Sequence, residues 1–299
     1  MGRQARSAGL ARADAVFILI LTAVVGSLGF LVLLPGLDHV RSVDARTRCG
    51  DNLVAIGKAM LAYANDHHDR MPTAGGPDTQ WSGRLTDWKA SARLNAFGLD
   101  PNETGGQATI SSSLYLLIRH GYATPRTFVC RAGKGVKEFD PAAYDLRDRK
   151  LDSLWDFGPN PARHCSYAYQ MVYGTHASTL RSQEPGFAVA ADRNPWMDEK
   201  QAKDFSRFEP DLNRFRGTSE SARMGNSVAH RRDGQNVLFL DGHVDFELRP
   251  YCSVEDDNIY TISDNLVASD PLGRPPKLGS APANPTDSLL VNDPPLAYT

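Results

Sequence analysis

The sequence predicts an α+β fold in which one long N-terminal helix lies against a mostly antiparallel β-sheet with loop insertions. Three observations carry this reading. Residues 15–34, AVFILILTAVVGSLGFLVLL, form an uncharged apolar run. Apolar residues then recur at Leu53, Ile56, Met60, Tyr63 and Ala64, the spacing of one stripe on an amphipathic helix. Further on, QNVLFLDGHVDF at 235–246 sets Asp-Gly between two β-rich runs, the strongest short signal for a hairpin.

The run at 15–34 comes first. A helix rises about 1.5 Å per residue, so about 20 apolar residues cross the ~30 Å hydrocarbon core of a bilayer. The run is longer than a secretory apolar core, and no small-x-small cleavage signal follows it. It divides the chain into a cytoplasmic segment (1–14), a transmembrane helix (15–34), an amphipathic continuation of that helix (35–70), an exported α+β domain (71–262) and a Pro/Ser/Asp-rich tail (263–299). Arg3, Arg6 and Arg12 precede the run with one acid, Asp14, whereas Arg41, Arg46 and Arg48 after it are mixed with Asp38 and Asp44. The positive excess predicts a cytoplasmic N-terminus, a single pass through the inner (cytoplasmic) membrane and an exported C-terminal domain, with the lipid bilayer as partner.

Composition excludes one class of partner. With 33 basic and 35 acidic residues the formal charge is -2, so no bulk field points to nucleic acid. Cys49, Cys130, Cys165 and Cys252 all follow the apolar run and none forms a CxxC pair, against a zinc ribbon or a thioredoxin-type site. An exported domain permits two disulfides with three connectivities. Cys130–Cys165, which would staple the loop between them, is the preferred pair; buried free thiols are the alternative.

The helix is expected to end near Asp66, where HHDRMPTAGGP forbids continuation. His67, His68 and Asp69 read as capping and solvent residues. Residues 73–110 read as an irregular insertion, with Trp81, Trp88 and Phe97 packing down. A short helix follows at 113–120, closed by Gly121, and then a strand at 127–130. Residues 131–164 are charged and read as solvated faces. Strands are predicted at 166–172, where Tyr167, Tyr169 and Met171 share a face, and at 186–191. Residues 197–226 read as looped, and the tail from about 263 as disordered or draped on the surface. For the hairpin, a two-residue turn opposes Leu240 to His243, Phe239 to Val244, Leu238 to Asp245 and Val237 to Phe246. That register puts Val237, Phe239, Val244 and Phe246 on a core face, and Leu238, Leu240, His243 and Asp245 on a mixed face.

Two stretches resemble a known family. Residues 33–72 contain Cys49, Asn52, Leu53, Ile56, Gly57, Ala59 and Tyr63 in a C-x-x-NL-x-x-IG-x-A pattern ending in a Pro-rich stop. His230, Asn236, Asp241, Gly242 and His243 form a C-terminal His-to-Asp-Gly signature, with ten residues between His230 and Asp241 where the signature has nine. Ala190-Ala191-Asp192-Arg193 resembles the segment that precedes it. Together these resemble prepilin-type, type II secretion pseudopilin-like proteins of planctomycete-type bacteria, which carry a large domain of unknown function.

The resemblance implies a pilin-like fold and a structural role: a membrane-anchored component of a type II secretion or pilus-like assembly, with other pilin-like subunits met through the N-terminal helix. It departs from the family inside the run. Counting back from Pro35 puts Ile18 where a Glu belongs. Counting forward from Gly9 puts Asp14 there but draws Arg12 into the helix. An uncleaved anchor is therefore expected.

His230, Asp241, His243 and Asp192 are the right residue types for a divalent metal. The turn accounts for Asp241, and His230 for a hydrogen bond to the hairpin backbone, so neither a metal nor a cofactor is expected. No G-x-S-x-G, HExxH, Walker loop or dinucleotide fingerprint occurs, and no catalytic residue is assigned. The alternative readings are a membrane-tethered binding or sensor protein that uses the insertions at 73–110 and 131–164, or a metal-dependent surface enzyme.

Overall fold

A computed structural model describes residues 2–133, 135–176, 184–209, 219–263 and 272–295, with the side chains of 2–14, 26, 28–39, 41, 199 and 200 outside that description. The chain forms two units, Met1–Ala45 and Arg46–Thr299, and helix α1 (Gly2–Asp66) contributes to both.

In the first unit, Val16, Phe17, Ile18, Leu19, Ile20, Leu21, Val24 and Val25 are exposed. Thr22 and Ser27 turn their hydroxyls back onto the carbonyls of Leu19 and Val24. Among the described residues no helix is long and apolar enough to cross a membrane. This overturns the expected pilin-like fold with its membrane helix. The apolar side chains described without a break run from 15 to 25. The rest of the run, residue 26 and residues 28–34, lies outside the described side chains.

In the second unit, residues 46–66 of α1 bury Cys49, Leu53, Ile56, Met60 and Tyr63. Their spacing of four, three, four and three residues sets them on one stripe. The stripe packs on a five-stranded sheet built from β3 (Tyr167–Gln170), β4 (Ala188–Asp192), β5 (Gln235–Phe239), β6 (Val244–Glu247) and β7 (Leu290–Val291). The strand order is β6-β5-β4-β3-β7 and every pair is antiparallel. The insertion at 73–110 adds a parallel bridge between β1 (Gln80–Trp81) and β2 (Gln107–Ala108), and a short helix α2 (Arg93–Phe97). Helix α3 (Ile110–Arg119) is capped by the Thr109 hydroxyl, which accepts from Ser112 N.

Strands β3, β4, β5 and β7 are buried on both sides, while the edge strand β6 is partly exposed. Tyr167, Tyr169, Val189, Ala190, Leu238 and Val291 meet α1, α3 and the aromatic insertions. Ala168, Ala188, Ala191, Val237, Phe239 and Leu290 meet Trp196, Phe208, Met224, Ile259 and Tyr260. A β-bulge between Ala188 and Ala190 lets the adjacent Val189 and Ala190 serve the same side.

Several expectations are corrected. The tail is not draped: β7 lies in it, and Leu289, Leu290 and Val291 are fully buried. Segment 127–130 is not a strand, because Pro125 at the first turn starts a 3-10 helix at Pro125–Phe128. Residues 131–164 are not simply solvated, since Phe139, Leu154, Trp155 and Phe157 enter the core and Arg119 lies 3.6 Å over the Trp155 ring.

The hairpin register moves by one residue. Leu238 pairs with Val244, Val237 with Asp245 and Asn236 with Phe246. Gly242 N donates to Phe239 O and Phe239 N to His243 O, which closes a three-residue loop with Gly242 at φ 89°. A one-residue shift exchanges the two faces. Leu238 and Asn236 therefore face the helix, while Val237 and Phe239 face the far layer.

Candidate functional site

The three segments that carry the sequence motifs converge on one buried cluster. The Cys49 stripe of α1 brings its thiol to Cys130, and the two form a disulfide with Cα atoms 5.1 Å apart. The expected Cys130–Cys165 pair is therefore corrected. Cys165 is a buried free thiol that donates to Tyr167 O, and Cys252 is also free. Asn52, one turn beyond Cys49, donates from Nδ2 to Val129 O at 3.0 Å and so holds the backbone next to Cys130. Cys130 N donates to Ser166 Oγ, and the Tyr167 hydroxyl donates to Cys49 O.

Asp192 ends β4 with its side chain fully buried beside this disulfide. Its Oδ2 accepts from Asn236 N at 2.7 Å and from Asn236 Nδ2 at 3.0 Å, and lies 3.0 Å from His230 Nε2. Asn236 Nδ2 also contacts His230 Nε2 at 3.3 Å and donates to Arg46 O. Asp192 Oδ1 has no hydrogen-bond partner among the described residues, although it is buried. Cys49, Cys130, Asp192 and His230 each offer one ligand atom, and all four lie within 4.8 Å of one another.

The helix motif now has a physical reading. A Cβ on Gly50 would sit 3.1 Å from Asn236 Oδ1, and one on Gly57 would sit 2.8 Å from Leu238 Cδ1. Glycine at both positions lets α1 approach β5 closely. Leu53 and Ile56 fill the core between them. Tyr63 stacks on His67 at 4.0 Å and meets His120 and Tyr122 edge-on, so His67 packs rather than facing solvent alone. Burial, followed by the charge of His67, lowers the His120 pKa.

The rest of the signature lies apart. Asp241 in the hairpin loop and His243 next to it are exposed and pair with each other, and the His243 ring stacks on Phe239 at 4.4 Å. The backbone N–H of His243, then its side chain, holds the Asp241 carboxyl below its ordinary range. Of the four residues of metal-ligand type in the sequence, His230 and Asp192 meet beside the disulfide, whereas Asp241 and His243 lie apart from them.

No family model, curated protein or solved structure matches this chain.

Sequence reasoning missed two further features. Asp293 in the tail accepts from Trp81 Nε1, Ile110 N and Ser111 N, a carboxylate seated at the N-terminus of α3. Asp156 beside it accepts from the Thr109 and Ser111 hydroxyls and from Phe157 N. Burial, then the charge of Asp293, pushes the Asp156 carboxyl up to about 8. No local pattern marks either acid in advance, because apart from Phe157 N their partners lie in other parts of the chain. The second feature is an open cleft of about 1330 Å³, lined in part by Tyr63, Arg70, Gly75, Trp81, Arg93 and Tyr173.

Proposed function

We propose that this chain is a structural subunit that joins further copies of itself through its N-terminal helix, the assembly role implied by the pseudopilin-like resemblance. The observation that carries this reading is the exposure of Val16, Phe17, Ile18, Leu19, Ile20, Leu21, Val24 and Val25 on α1. Consecutive positions lie about 100° apart, so these side chains surround the helix. A contiguous apolar surface of this kind marks an association site, and burying one such side chain contributes about 1.5–3 kcal/mol.

Ala23 and Ser27, four residues apart, form a small-xxx-small pair that lets two helices approach closely. The hydroxyls of Thr22 and Ser27 are already bonded to carbonyls of their own helix, so burial leaves neither unsatisfied.

Sedimentation velocity of the full chain in detergent-free buffer tests this. The native chain should sediment as a species of several copies, and Ile20→Glu/Val24→Glu as the 32.7 kDa single chain. A native chain that sediments as one copy, or that is recovered as single copies on phosphatidylglycerol vesicles, would contradict the proposal.

A further inference from the structure

Four side chains of metal-ligand type, from four separate segments, meet in the core. Cys49 comes from α1, Cys130 from the loop after the 3-10 turn, Asp192 from the end of β4 and His230 from the 3-10 turn Val228–His230. All four are buried, and their ligand atoms lie within 4.8 Å of one another. We propose that this cluster is a thiol-gated zinc site: closed while Cys49 and Cys130 are joined, and once they are reduced a tetrahedral site of two thiolates, one imidazole and one carboxylate.

Three observations support it. The donor set is two sulfurs, one imidazole and one carboxylate, which suits zinc and disfavours magnesium or calcium. One carboxylate oxygen, Asp192 Oδ1, is fully buried with no partner among the described residues, as a ligand atom awaiting a cation would be. The other, Oδ2, is held by two donors of Asn236, and that outer contact fixes the carboxylate in the way metal sites use second contacts. The imidazole Nε2 lies 3.0 Å from Oδ2 of the same carboxylate, so one ion can reach both residues.

The chemistry balances with a dithiol as reductant. The Cys49–Cys130 bond breaks as it receives two electrons and two protons, and the dithiol is oxidised to its own disulfide. On binding, the zinc ion displaces one proton from each thiol to solvent, and the imidazole carries its remaining proton on Nδ1. Two Zn–S contacts of about 2.3 Å then require the sulfurs to part to roughly 3.8 Å, which the unbonded cysteines can reach by side-chain rotation. His230, 7% exposed, is the member nearest solvent and gives the ion its way in.

The test uses the full chain, reduced with dithiol, desalted without oxygen and titrated with zinc or cobalt. The reduced chain should take up one ion, show the thiolate-to-cobalt charge-transfer band of a tetrahedral site and gain thermal midpoint with zinc. The oxidised chain should do none of these. His230→Gln should weaken the reduced chain's affinity at least tenfold, and Cys252→Ser should leave it unchanged. Should a variant fail to fold, the comparison of the reduced and oxidised native chain decides alone. Equal uptake by both forms, no uptake by the reduced form, or loss of uptake in Cys252→Ser would overturn the proposal.

Discussion

The buried acid Asp156 makes the stability of the second unit depend on pH in a way that one substitution should remove. Its pKa stands at about 8 in the folded chain against 3.8 for the free side chain. The folded state therefore holds a proton through a range where the unfolded state has lost it, and stability falls as pH rises through that range. Linkage over these two values gives a loss of about 3–4 kcal/mol between pH 5 and pH 8. Asp156→Asn copies the neutral acid. Its carbonyl oxygen can accept from Ser111 and Phe157, and its amide can donate to Thr109 Oγ1. The assay is urea unfolding of both chains across that range, because the difference between them cancels all other titrating groups. The two chains should be of similar stability near pH 5, with the variant ahead by several kcal/mol at pH 8. A difference that stays constant within about 0.5 kcal/mol across the range would refute the reasoning.

Two further predictions concern the contacts of α1. Gly57→Val should cost about 1–3 kcal/mol through its clash with Leu238 Cδ1, and Leu238→Ala in the same chain should recover part of that, read as a coupling in a double-mutant cycle of urea unfolding. Cys130→Ser opens a loop whose ends are 81 residues apart, and should lower stability by about 2–5 kcal/mol in chelator-containing buffer, measured by thermal or urea unfolding.

What was legible in the sequence follows from the range of each signal. The stripe at Leu53, Ile56, Met60 and Tyr63 could be read because a helix repeats its buried face every 3.6 residues. The hairpin at 235–246 was visible, but Asp-Gly serves both a two-residue loop and a three-residue loop with a bulge. Leu240 falls in the loop, and one residue of ambiguity reverses the faces. Strand β7 escaped notice because three apolar residues between Ser288 and Asn292 carry no period. The disulfide escaped because its partners are 81 residues apart, and spacing says nothing about which cysteines a fold brings together. Cys49, Asp192, His230 and Asn236 were each singled out by a motif; their meeting in one cluster required the sheet order. Length and hydropathy of the apolar run alone do not distinguish a span from a helix that packs on other helices.

Copies of this chain are proposed to associate along the Ala23/Ser27 face of α1, which site-specific cross-linking can read in the full chain carrying Cys252→Ser. Ala23→Cys should give covalent dimers under mild oxidation, while Val25→Cys, about 160° around the helix, should give few. Dimers at neither position, or equally at both, would contradict the account.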